Sequence, residues 1–183
     1  MTDPTASNPG ESRPSPRPAT STEGLSHVRA GADGGAAESS MVDVGDKAAT
    51  RRTALARARL LFPPGALRVL RARSGPKGPV EEVARAAGIL AAKRTGELIP
   101  MCHPLALDHV EIVFEETGDD CLEVRCQASC EGRTGVEMEA LTGASVAALT
   151  VYDMSKSLDK GIRIEAVELL EKTGGRSGHW RRP

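Results

Sequence analysis

VEIVFEETGDDCLEVRCQASC, residues 110–130, contains two runs in which apolar and polar residues alternate, joined by Thr117-Gly-Asp-Asp120. Alternation with a period of two is typical of half-buried strands, and a short polar link that contains glycine is typical of a hairpin turn. Cys121, Cys126 and Cys130 then act as small apolar core residues. A metal site is the alternative, although their spacing lacks the C-x-x-C pair of zinc motifs. The stretch predicts an antiparallel hairpin.

Helical patterns lie on both sides of this hairpin. The first predicted helix runs from Pro79 to Leu98, with proline at its first position, acidic residues early and basic residues late, as the helix dipole favours. The second runs from about Thr134 to Leu158 and has apolar residues at helical spacing. A shorter helix is expected after Pro63-Pro64-Gly65. The apolar positions are Val80, Val83, Ala84, Ala87, Leu90 and Ala91 in the first helix, and Met138, Leu141, Ala148, Leu149 and Tyr152 in the second.

Two further segments complete the predicted sheet. Ile162–Val167 alternates and predicts a last strand. Thr50–Phe62 is ambiguous, because its Ala, Leu and Arg residues favour a helix while its apolar residues also fit a period of two. If it is a strand, the order becomes β, helices, β, β, α, β. That order predicts an α+β fold of the ferredoxin-like split βαβ type, an antiparallel sheet with helices packed on it.

Composition limits the classes of function. The 183 residues carry 24 Lys and Arg against 25 Asp and Glu, and only two Phe, one Tyr and one Trp. Near-neutral charge and few aromatics argue against nucleic acid as a partner. The longest apolar run, Ala86–Ala92, is too short to cross a bilayer, so no membrane partner is expected. Met1–Gly10 lacks the apolar region of a secretory signal, so the cytoplasm is the expected location.

The chain is predicted to have one folded domain. Residues 1–40 are rich in Pro, Gly, Ser, Thr and Ala and hold few large apolar residues, so they cannot bury enough surface to offset chain entropy. We therefore expect a disordered tail over 1–40 and a single catalytic α+β domain over 41–183.

Two loops contain side chains suited to chemistry. Lys77, between glycines and prolines, precedes a helix start and could steady a phosphate or oxyanion there, although loop lysines are usually only solvated. Met101-Cys-His103 lies between Pro100 and Pro104. His103 is either a hydrogen-bonded structural residue or a group that binds substrate or exchanges protons near neutral pH.

The second long helix has polar groups at both ends. Near its start, Glu137 and Glu139 flank Met138; they either favour the helix dipole or accept hydrogen bonds from the N–H edge of a guanine-like or pterin ring. Near its end, Asp153 and Lys156 share one face, as a solvated surface pair or as an acid–base unit.

The last polar segment, Glu171–Gly178, resembles a phosphate loop without being a Walker A sequence. It is either a basic loop that closes over phosphates or an ordinary C-terminal tail.

Together these segments resemble the cyclic pyranopterin monophosphate synthases, accessory enzymes of molybdenum-cofactor biosynthesis. The resemblance covers 41–178. One departure is that the family usually has Lys-Gly-Asp where this chain has Lys77-Gly78-Pro79. The matching segments are Met41–Val44 with Lys47, Ala91–Thr95, Leu98–Leu105, Thr134–Thr142, Ala147–Met154 with Lys156, and Lys172–Gly178.

The resemblance implies a rearrangement of 3′,8-cyclo-7,8-dihydroguanosine 5′-triphosphate into cyclic pyranopterin monophosphate with loss of diphosphate, without a cofactor and with no metal-ligating residue of the chain. It implies Asp153 and Lys156 as the acid–base pair and Lys77 as the third catalytic group. It also implies homohexamers, trimers of dimers with sites at the dimer interface. The implied substrate contacts are Met101, Cys102, His103, Glu137 and Met138; weaker candidates for the triphosphate are Arg52, Lys93, Arg94, Lys172 and Arg176.

Two other classes remain open at this point. A non-catalytic module that senses a nucleotide or pterin would need the binding groups but not Asp153, Lys156 and Lys77 together. An RNA-binding ferredoxin-like domain would need exposed aromatics on its sheet.

Overall fold

The computed structural model describes residues 27–29, 37–74, 79–176 and 178–183. The chain divides into two units, Met1–Ser40 and Met41–Pro183. In the first unit, strands β1 (Val28–Arg29) and β2 (Glu38–Ser39) pair antiparallel. Most of residues 1–40 lie outside the described ranges, so the disordered tail stays a prediction.

The second unit has a five-stranded antiparallel sheet in the order β4-β5-β3-β6-β7, with helices packed on it. The predicted ferredoxin-like α+β class is confirmed. In chain order the elements are β3 (Thr50–Leu61), α1 (Ala66–Ser74), α2 (Pro79–Lys93), α3 (Thr95–Leu98), β4 (His109–Glu116), β5 (Cys121–Gly132), α4 (Glu137–Ser155), β6 (Arg163–Thr173) and β7 (Trp180–Arg181).

The ambiguous segment Thr50–Phe62 is a central strand. β3 pairs with β5 along its whole length and with β6 on its other side. Its residues alternate between buried and half-buried from Arg52 onward, so every second side chain faces the helices. Pairing on both edges and burial of one face outweigh the helix propensity of Ala, Leu and Arg, because tertiary packing routinely overrides local preference.

α2 and α4 cross at a seam of small residues. Gly88 of α2 lies against Gly143 and Ala147 of α4, while Ala92 lies against Gly143, so the two helices run antiparallel. The small side chains let the backbones approach closely. Of the apolar positions predicted for the two helices, Val80, Ala84, Ala91 and Ala148 are buried, whereas Val83, Leu90, Met138 and Leu149 are exposed.

The helix ends differ from the sequence prediction. The first helix ends at Lys93, where the Thr95 hydroxyl donates to the carbonyls of Ala91 and Ala92, and α3 follows separately. A side chain that bonds to the preceding turn competes with continuation of the helix. The second helix is Glu137–Ser155, shorter at both ends than predicted.

The two ends of α4 have different surroundings. At its amino-terminal end, Gly132 of β5 pairs with Thr50 of β3, and Thr173 of β6 pairs with Thr53. Its carboxy-terminal end lies toward the start of α2, since the two helices are antiparallel. Within the described ranges, no helix combines the length and the apolar character required to cross a membrane.

Candidate active site

A cavity of about 700 Å³ lies beside the amino-terminal end of α4. Its walls come from β3, β6, the loop before β3 and the loop between β5 and α4, which are far apart in sequence. Two carboxylates, Asp46 and Glu137, line it together with five cationic side chains. These cations are Lys47, Arg52, Arg133, Lys172 and Arg176.

Arg52 is the most buried of these cations. It occupies the core-facing position that precedes the buried Ala54 and Ala56 on β3, yet it is only 9% exposed. Its Nε donates to the Gly132 carbonyl at 3.2 Å, and it makes no ion pair within the described part of the chain. Since a buried charge is costly without a counter-charge, this guanidinium suits an incoming anion.

Gly174 and Gly175 form the wall over Arg52. Both have positive φ, +98° and +72°, which disfavours residues with a side chain. A Cβ at Gly175 would also collide with the Arg52 guanidinium. The double glycine therefore lets the chain after β6 lie directly on this arginine.

Glu137 and Lys172 form an ion pair in the same cavity, with 2.7 Å between Nζ and Oε1. The sequence suggested that Glu137 would either favour the helix dipole or bind a heterocyclic ring. In this structure the Glu137 carboxylate is instead paired with Lys172, one of the cations that line the cavity.

Glu139, two positions further along α4, faces the interior. It is 3% exposed, and its Oε2 has no hydrogen-bond partner among the described residues. Burial is the main reason that its pKa rises from 4.5 to about 7. It lines a small cavity of about 180 Å³ together with Lys93 and Arg94. The sequence raised Glu139 beside Glu137 as a carboxylate for the helix dipole or a heterocyclic ring, but it did not predict that Glu139 is buried.

The predicted substrate-contacting loop lies at this same end of α4. The pKa of the Cys102 thiol is raised mainly by burial and to a smaller extent by the nearby charge of Glu139. Met101, Cys102 and His103 are half-buried, and the backbone at His103 and Pro104 packs against Gly96. Met138 is 38% exposed at the start of α4.

Asp153 and Lys156 are hydrogen-bonded at the carboxy-terminal end of α4. That bond is the main reason the pKa of Lys156 is raised. The side chains of Lys156 and Asp153 are 53% and 66% exposed. A pair so open to water is a weak acid–base unit until something covers it, because water screens its charges.

The two groups of site residues are far apart in one chain. Asp153 lies sixteen positions after Glu137 in the helix, which corresponds to about 24 Å along α4. Lys77, the third predicted catalytic group, lies outside the described residues, and the chain enters α2 at Pro79.

The cationic side chains predicted to bind the triphosphate lie in two separate cavities. Arg52, Lys172 and Arg176 line the large cavity, whereas Lys93 and Arg94 line the small one beside Glu139. Lys47 and Arg133 join the large cavity; the sequence placed Lys47 in a matching segment without a role and did not select Arg133. Among residues 27–29, 37–74, 79–176 and 178–183, no group of three or more His, Cys, Asp or Glu side chains could hold a metal ion.

The buried cysteines fit the core interpretation of the hairpin. Cys126 and Cys130 are fully buried, and burial raises the pKa of Cys126 to about 12.

Comparison with known proteins agrees with the resemblance seen in the sequence. A synthase named cyclic pyranopterin monophosphate synthase, from Chloroflexus aurantiacus, is 53% identical over 144 residues, covering 78% of this chain and 88% of that protein. Proteins of the same name from Thermomicrobium roseum and Novosphingobium aromaticivorans are 54% and 56% identical, covering 78% and 77% of this chain and 86% and 89% of those proteins. The sequence model of the MoaC family matches residues 41–175. The chain therefore belongs to the MoaC family.

Proposed function

We propose that this protein is a cyclic pyranopterin monophosphate synthase, a lyase of early molybdenum-cofactor biosynthesis. It converts 3′,8-cyclo-7,8-dihydroguanosine 5′-triphosphate into cyclic pyranopterin monophosphate and releases diphosphate. Relatives about half identical over most of the chain carry this name. The observation that carries the proposal is the cationic cavity, in which the buried Arg52 has no ion pair among the described residues.

The triphosphate binds in this cavity. Lysine and arginine side chains there offset the charge that develops on the leaving diphosphate when the cyclic phosphate forms. The ring system extends toward Met101, Cys102 and His103 on one side and Met138 on the other. Glu139 adds a buried carboxyl group near this loop, suited to accept or share a proton near neutral pH because its pKa is about 7.

Asp153, Lys156 and Lys77 supply the proton transfers that open the five-membered ring and build the pterin. Such transfers contribute roughly a hundredfold or more each when the groups are well placed. The reaction needs only proton transfer and phosphate displacement, so the proposal includes no redox cofactor.

The complete site requires two copies of the chain. The cavity and the acid–base pair are about 24 Å apart along one helix, too far to act on one substrate. A second chain whose α4 runs antiparallel would place the partner subunit's Asp153 beside the first chain's Glu137. It would also cover the pair and reduce its contact with water.

One face of α4 suits such a contact. Met138, Leu141, Ser145, Leu149 and Tyr152 follow one another at spacings of three and four, as in helices that pack together. Of these, Met138 and Leu149 are 38% and 57% exposed, and the rest are half-buried.

The stripe is symmetrical about Ser145. Antiparallel crossing at this residue would pair Met138 with the partner's Tyr152 and Leu141 with the partner's Leu149. Glu137 and Asp153 are also equally far from Ser145 in sequence. A twofold contact of this kind uses the same surface on both chains. Three such dimers would make the homohexamer expected from the resemblance, located in the cytoplasm.

Turnover tests this proposal directly. Purified protein is incubated with the cyclic dihydroguanosine triphosphate, and diphosphate and the pterin product are followed over time. Both products should form at equal rates. Binding of the substrate without either product would identify a sensor module instead.

A further inference from the structure

Glu137 occupies the cationic cavity in the way that a bound phosphate oxygen would. Its Oε1 lies 2.7 Å from Lys172 Nζ. The rest of its carboxylate folds back over Gly135, where it fills the space that a Cβ would take. The group is therefore an anion held both by a lysine of the cavity and against the loop that precedes α4.

The other charges of the cavity make this contact unusual. Of the five lining cations, Lys172 alone has an ion pair within the described residues. Asp46 lines the same cavity but makes no ion pair there. Glu137 thus neutralises Lys172, whereas the buried Arg52 has no ion pair among the described residues and can bind an anionic ligand.

We propose that Glu137 competes with the ligand's terminal phosphates for Lys172 and thereby accelerates the release of diphosphate. When the triphosphate binds, Lys172 exchanges the carboxylate for phosphate oxygens. When diphosphate has formed, the ion pair between Glu137 and Lys172 forms again, and the cavity binds the diphosphate product less tightly. No covalent bond changes and no proton moves; only the partner of one ammonium group changes.

This inference rests on the proposed function for the identity of the leaving group, but the competition itself is a property of the cavity. Five cations against two carboxylates leave an excess of positive charge toward a highly charged product. Without a competing anion, such a cavity would hold diphosphate tightly and limit turnover by slow release.

The opposite role is that Glu137 holds Lys172 in place for the phosphate. The two roles predict opposite signs when the carboxylate is removed. A competitor weakens diphosphate binding, so Glu137→Gln binds diphosphate more tightly. A positioning group strengthens binding, so Glu137→Gln binds it less tightly.

The experiment measures the dissociation constant of sodium diphosphate for the full chain by titration calorimetry. Glu137→Gln should bind about tenfold more tightly than the unchanged protein, the effect of removing one close competing charge. Asp46→Asn is the matched control, since it removes the same charge from the same cavity without touching Lys172. It should bind less than about threefold more tightly.

A double-mutant cycle assigns the effect to the ion pair. In a Lys172→Gln background, the gain from Glu137→Gln should fall to the level of the Asp46→Asn control. Glu137→Asp, which keeps the charge on a shorter side chain, should also bind diphosphate more tightly and serves if Glu137→Gln does not fold.

Unchanged or weaker diphosphate binding by the Glu137 variants would overturn the proposal. So would an equal gain in Asp46→Asn, because it would show a general charge effect. Turnover of the cyclic substrate is measured separately. If the binding pattern holds and turnover is absent, the competition stands and the proposed activity fails; if turnover is present and the pattern is absent, the reverse is true.

Discussion

Replacing Glu139 by glutamine should make the protein more stable at neutral and alkaline pH. Glu139 is 3% exposed, and its Oε2 lacks a hydrogen-bond partner within the described residues. Burial raises its pKa from 4.5 to about 7. A difference of this size corresponds to about 3 kcal/mol between the charged and neutral forms.

The sign follows from the direction of the shift. Because the pKa is higher in the folded protein, the folded state binds the proton more tightly than the unfolded chain does. The stability from this proton is fully present below pH 4.5 and is lost as the pH rises through about 7. Glutamine removes that loss, so the advantage of the variant grows with pH.

Urea unfolding at fixed protein concentration, at several pH values from 5 to 8, measures the effect. The free energy of unfolding of Glu139→Gln minus that of the unchanged protein should rise by about 2 kcal/mol across this range. Glu97→Gln is the control, since Glu97 is an exposed glutamate near the same cavity; its difference should stay flat. If the difference in the free energy of unfolding for Glu139→Gln does not change with pH, Glu139 is not a buried carboxyl group that lacks a partner.

Four other outcomes are expected. Asp153→Asn and Lys156→Ala should each lower kcat about a hundredfold or more with little change in Tm, since both side chains are exposed; near-normal kcat in either would make the pair an ordinary surface ion pair. Arg52→Met should raise KM for the triphosphate substrate about tenfold or more, and an unchanged KM measured by product formation would remove Arg52 from the phosphate site. Ser155→Ala should raise the free energy of unfolding by about 1 kcal/mol, because the buried Ser155 hydroxyl has no hydrogen-bond partner among the described residues; a decrease in urea unfolding would contradict this. A chain that starts at Met41 should keep its Tm and turnover, and a loss of several degrees would show that the preceding residues pack on the domain.

The fold could be predicted where the pattern along the chain was local. The alternation on both sides of Thr117–Asp120 gave the hairpin directly. Thr50–Phe62 could not be assigned by the same means, because the choice between helix and strand depended on pairing with β5 and β6. The buried faces of the helices were predicted in part: Val80, Ala84 and Ala148 are buried, but the larger Leu90 and Leu149 are exposed. In the structure the helices meet through Gly88 and Gly143 instead.

The site could be predicted in part. The sequence identified the segments that contain Glu137, His103 and Asp153 and placed Glu137 and Asp153 at opposite ends of one helix, but it could not show which side chains share a cavity. Lys47 and Arg133 join the cavity only because the strand register brings their loops together. The sequence named Glu139 beside Glu137 but missed its burial, which its position on the same helical face as Gly143 and Ala147 could have indicated.

In the proposed dimer, each active site combines opposite ends of α4 from two chains. The direct measurement uses two variants that should each be inactive, Asp153→Asn at the acid–base pair and Lys172→Ala in the cationic cavity. The two are unfolded and refolded together, and product formation is then assayed. Random pairing makes half of the dimers mixed, and each mixed dimer holds one intact site, so activity should recover to about a quarter of the unmutated protein's value. If mass spectrometry verifies that the chains have exchanged and the mixture stays as inactive as its parents, both groups act within one chain and the claim is contradicted.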